Sequence, residues 1–146
     1  MKLITRYFVF LLLMSGCESS THSLEGAYSD VIDNLTASDW IHTEIENSPN
    51  GTISMSSEIW TFHKTGKGSH KVVFSDNKGL LKEDVYYFQW AFTTPNYSVI
   101  CMDIQQSGLL YWQIITLSNE NLEIVQAAND PVLYPEIDKR YVLFHH

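Results

Sequence analysis

The chain has 146 residues, is 45% hydrophobic and 13% aromatic, and carries a formal net charge of −8. That length supports one packed core. An excess of 17 acidic over 9 basic side chains repels phosphate backbones and anionic headgroups, which sets nucleic-acid binding aside.

The N-terminus reads MKLITRYFVFLLLMSGC, with Lys2 and Arg6 ahead of an apolar run from Tyr7 to Met14 and the small residues Ser15 and Gly16 behind it. A charged start, a short apolar stretch and small residues are the layout of a secretory signal. The run is too short to cross a bilayer, which takes about 20 apolar residues. Met14-Ser15-Gly16-Cys17 resembles the lipobox of bacterial lipoproteins, in which a large apolar residue and two small ones precede a cysteine. That resemblance implies that residues 1–16 are removed as a signal peptide. Cys17 would then be the lipid attachment site, carrying diacylglycerol and, on the new amino terminus, an acyl chain such as palmitate. Several acyl chains hold a protein on a membrane, so the implied location is the bacterial cell envelope, at the outer membrane or the cell surface. Loss of Lys2 and Arg6 takes the charge from −8 to −10. Cys101 is then left without a partner, reads as a buried thiol within YSVICMDI, and the fold must stand without disulfides.

Residues 17–38 read as lipidated cysteine, tether and short helix. ESSTHS is small and polar, and LEGAYSDVIDNL places Leu24, Tyr28, Val31, Ile32 and Leu35 at helical spacing. From there to residue 146 the pattern alternates. DWIHTEIE, SEIWTFH, SHKVVFS, VYYFQWAF, YSVICMDI, LLYWQIITL, LEIVQA and KRYVLFHH are eight strand-like runs. Most are separated by tight turn sequences such as KTGKG at 64–68, and Glu83-Asp84 reads as a solvated turn. The rhythm predicts an all-β domain over 39–146, an eight-stranded antiparallel up-and-down barrel whose closure removes exposed edges. A two-sheet β-sandwich is the alternative.

Within YYFQWAF, Tyr86, Phe88, Trp90 and Phe92 share one face by the strand period of two, and Tyr87, Gln89 and Ala91 share the other. Trp60 and Phe62 repeat this one hairpin earlier. Such a face either fills a barrel or lines a ligand cavity. The order IWTFHKTGKG, YYFQWAF, YWQIITLSNENLEIV and RYVLFHH resembles the lipocalin-like domains of small bacterial lipoproteins. The match runs through Trp60 and Phe62, Phe88 and Trp90, then Tyr111, Trp112, Ile114, Leu117, Leu122 and Ile124. It implies a calycin-type barrel that carries a small apolar ligand, with Trp60, Phe62, Phe88, Trp90 and Trp112 as ligand-binding candidates. Among these, Trp90 reads as core filling and Trp60, nearer a hairpin mouth, as the better pocket residue. The alternative is a filled barrel acting as an interaction module, an inhibitor or envelope-assembly component without a small-molecule ligand.

Reaction chemistry is not legible. No G-x-S-x-G elbow is present, and His42, His63 and His70 lack metal-ligand spacing. No enzyme, metal or cofactor is expected, and no protein partner can be named from the sequence.

Overall fold

The alternation from Trp40 onward becomes eight antiparallel strands, seen in a computed structural model that describes residues 29–49, 51–135 and 139–145. In chain order the elements are α1 (Ser29–Leu35), β1 (Trp40–Asn47), β2 (Ile53–His63), β3 (Lys67–Asp76), β4 (Gly79–Phe92), β5 (Val99–Ile104), β6 (Gly108–Leu117), β7 (Asn121–Ala127) and β8 (Lys139–His145). Each strand pairs with the next, and β1 returns to β8 through Trp40↔His145 and Ile41↔Phe144, so the sheet closes into an up-and-down barrel. That closure excludes the sandwich. The signal peptide, Cys17, the ESSTHS tether and the helix candidates Leu24 and Tyr28 lie outside the described residues.

Period two decides which side chains meet inside. Trp40, Trp60, Phe62, Phe88, Ile100, Met102, Trp112, Leu122, Ile124 and Leu143 point inward and are almost fully buried. Cross-strand register stacks them in layers, with Trp60 opposite Trp40 and Phe88 opposite both Gly68 and Ile104. Gly68 is essential to this layer. A Cβ there would lie 2.4 Å from the Phe88 ring and 2.5 Å from the Thr61 carbonyl oxygen, so only a bare backbone lets the ring lie across β3. The turn before β3 uses Gly66 at φ +76°, a conformation that favours glycine.

The two ends of the barrel differ. At one end α1 precedes β1 and plugs the opening. Leu35 is fully buried, its carbonyl accepts a 2.9 Å hydrogen bond from Trp40 Nε1, and Asp33 forms an ion pair with Lys64 in the β2–β3 turn. His145 lies edge-on to the Trp40 indole from the closing strand.

At the other end the strands are unequal. β4 has 14 residues but meets β5 only from Phe88 onward, and β1 has 8 residues but meets β8 only at Trp40 and Ile41. The far ends of β1 to β4 therefore run past the barrel as a four-stranded ribbon. Ile45, Leu80 and Leu81 on it are more than 60% exposed. A bulge between Phe74 and Ser75 leaves Leu81 as the extra residue opposite them. Glu83 and Asp84 belong to this strand and not to a turn. The turn reading failed because alternation marks a half-buried strand, and the ribbon has little buried face to alternate against.

Cys101 also departs from expectation. It is free, but it sits on the outward-facing side of β5 between Ala91 and Tyr111 and is only half-buried. The inward positions of that strand belong to Ile100, Met102 and Ile104. Proximity of the Cys101 thiol raises the Tyr111 phenol above its ordinary range, with burial adding to the effect.

Candidate functional site at the open end

Above the aromatic layers, the open end keeps a half-open cavity of about 320 Å³. Its floor and apolar wall come from Trp60 of β2, Ile104 of β5 and Leu110 of β6. Its polar wall comes from Glu58, His70, Tyr86, Gln126 and Tyr141, on five different strands. The register explains the convergence. Glu58 is two residues from Trp60 on the same face, His70 is the direct partner of Trp60, and Tyr86 is the direct partner of His70.

Glu58 and His70 are the chemical centre of this end. The His70 imidazole is stacked on the Trp60 indole with ring centroids 3.6 Å apart and planes 9° from parallel. Its Nε2 lies 3.4 Å from Glu58 Oε2, within ion-pair range. That Nε2 is buried and makes no hydrogen bond of acceptable geometry. A polar atom without a partner in such a place is costly. The neighbouring His70, with smaller help from Trp60 and His42, holds the Glu58 carboxyl below its ordinary value of 4.5, against partial burial, which acts the other way. Glu58 is therefore a carboxylate at neutral pH. Around this pair, Tyr141 meets His42 edge-on at 5.1 Å, and His42 Nδ1 lies 3.1 Å from the Val142 carbonyl oxygen. Gln126 is positioned from below, its Oε1 accepting a 3.4 Å hydrogen bond from Trp112 Nε1.

The aromatic ligand candidates divide between wall and core. Trp60 borders the cavity. Phe62, Phe88 and Trp112 lie beneath it in mutual edge and tilted contacts, and Trp90 packs edge-on against Phe62 while donating from Nε1 to the Lys67 carbonyl at 3.1 Å. Phe88 also reaches a groove of about 700 Å³ on the outer wall beside Tyr87, Gln89 and Asp103. The polar half of the cavity was not among the sequence candidates. Its signal was nevertheless present: Glu58 and His70 share the face of Trp60 and its partner strand, where an apolar residue is the norm. Among the described residues no three His, Cys, Asp or Glu side chains are grouped to hold a metal ion.

Comparison with family models, with curated proteins and with solved structures finds no match for this chain.

Proposed function

We propose that this chain is a lipid-anchored barrel lipoprotein of the bacterial envelope that binds or carries a small, mostly apolar ligand in the open end of its barrel. The observation that carries the binding reading is the cavity of about 320 Å³ floored by Trp60, Ile104 and Leu110. Ligand pockets begin near 300 Å³, are mostly apolar, and carry a few convergent polar groups that fix orientation. The anchor reading rests on Met14-Ser15-Gly16-Cys17 behind a charged and then apolar start.

Native mass spectrometry of the chain without residues 1–17 tests the first part. A co-purified small molecule that is lost on Trp60→Ala is expected, and a bare mass together with no binding of any small aromatic probe would refute it. For the anchor, Cys17→Ala should abolish palmitate labelling and membrane retention; a normally labelled mutant would refute the assignment.

A second reading, an interaction module, is favoured by one feature. The ribbon exposes Ile45, Leu80, Leu81 and Val85 next to a β4 edge that β5 does not cover. A partner adding a strand there would slow amide exchange from Leu80 to Tyr86.

A further inference from the structure

We propose that the open-end cavity selects a small organic cation, an amine or amidine on an aromatic or aliphatic body, and seats its charged head on the Glu58 carboxylate. The inference rests on the binding reading above and specifies the chemistry of its ligand.

Depth is the first argument. His70 stacked on Trp60 forms one side of the floor, and Trp112 and Phe88 pack against Trp60 from below, with ring centroids 4.6 and 5.8 Å from it. Among the described residues that aromatic packing closes the pocket beneath Trp60, which leaves little depth for an extended acyl chain. The space of about 320 Å³ suits a single ring or a short branched body lying against Leu110 and Ile104.

Charge is the second argument. Among the described lining residues, Glu58 is the one acid, and no lysine or arginine accompanies it. The nearest imidazole, His70, is held by stacking on Trp60 and approaches at 3.4 Å without completing a hydrogen bond. An ammonium head brings strong, directional donors to a carboxylate so placed. Tyr86 and Tyr141 line the same pocket from β4 and β8, and an aromatic face attracts a cation in a partly dry site.

The surrounding field points the same way. Glu44, Glu46, Asp76 and Asp84 occupy inward register positions on the strands leading to the mouth, against Lys82, which is paired with Asp84, and His42, which lies 3.5 Å from Glu44. On β8, Lys139 is in register with Gln126 at the same rim. With a whole-chain charge of −8, the acidic approach draws cations in and turns carboxylates and phosphates away.

The test is a series of probes of one shape and three charges: 2-phenylethylamine, 2-phenylethanol and 3-phenylpropionate. They are titrated calorimetrically into the processed, lipid-anchored chain held in zwitterionic nanodiscs, with empty nanodiscs as the blank. The amine should bind roughly tenfold or more tighter than the alcohol, as a charge-assisted hydrogen bond adds to a shared apolar contact, and the carboxylate should not bind. Glu58→Gln should bring the amine down to the level of the alcohol and leave the alcohol unchanged. Lys139→Met should tighten the amine or leave it as it was. Equal binding of alcohol and amine, or tighter binding of the carboxylate, would overturn the cation assignment while leaving the cavity a binding site. Loss of amine binding in Lys139→Met would overturn it too. Failure of all three probes on the wild-type chain would overturn the cation assignment, and a bare mass in native mass spectrometry beside it would remove the binding reading as well.

Discussion

Gly68→Ala adds one methyl group at the point where the barrel has least room. The new Cβ would stand 2.4 Å from two carbons of the Phe88 ring and 2.5 Å from the Thr61 carbonyl oxygen. The ring can tilt, but it is already held by Trp60 and Phe62 at 5.8 and 5.3 Å. The carbonyl belongs to β2, which is in register with β3 on one side and β1 on the other, so it moves only if the sheet does. Overpacking a tight core costs about 1–3 kcal/mol, and this site belongs at the upper end because one of the two clashes is with backbone. Replacing glycine also removes unfolded-state freedom, which returns about 0.4–1 kcal/mol. The expected net loss is about 2 kcal/mol, from the difference of those two effects. Urea unfolding monitored by tryptophan fluorescence measures it as a lower midpoint at unchanged slope. Adding Phe88→Leu should recover only part of the loss, since the Thr61 contact remains. A Gly68→Ala chain within about 0.5 kcal/mol of wild type, the range of an ordinary surface change, would show that the Phe88 ring does not lie across β3.

Two further outcomes follow from the same geometry. Glu58 has its folded pKa lowered, so its contribution to stability is present above its ordinary value of 4.5 and is lost as pH falls through the lower folded value. The melting temperatures of wild type and Glu58→Gln should therefore differ at pH 7 and converge well below pH 4.5; a gap that widens on acidification would contradict the assigned direction. Leu35→Ala empties the plug beneath Trp40 and should cost about 2–5 kcal/mol by cavity formation, and an unchanged unfolding midpoint would mean that α1 does not close the barrel.

Much of this architecture was legible because the closed half of the barrel is half-buried strand by strand. Trp60 with Phe62 and Phe88 with Trp90 alternate with exposed neighbours such as Tyr87, so period two and the intervening turns define both strands and their inner face. Legibility ends where that asymmetry ends. Leu80 to Val85 belong to the part of β4 whose two faces both meet solvent, and the sequence there carries turn-like charges instead of alternation. Cys101 shows the converse: an apolar run suggested burial, but parity with Ile100 and Met102 places its thiol on the outer wall. The polar side of the cavity was obscured for another reason. Glu58, His70, Gln126 and Tyr141 come from four strands up to 83 positions apart in the numbering, and only barrel closure brings them to one mouth. Parity marks each as inward, but it does not say which inward residues become neighbours around the circumference.

The ribbon that overshoots the barrel gives the molecule two mechanical regimes. Below the cavity, every strand has a neighbour on both sides and opening any one disturbs the aromatic layers, so amide exchange there requires nearly global unfolding. Above it, β1 and β4 each lack a neighbour on one side and few side chains are buried, so the ribbon opens locally at small cost. Glu58, His70 and Tyr86 stand at the boundary, rooted in the stiff half with their strands continuing into the soft one. A molecule settling between them would tie the first turns of the ribbon to the barrel. Its grip would then be measured as much in slowed ribbon breathing as in contacts, and its release would be timed by the next local opening.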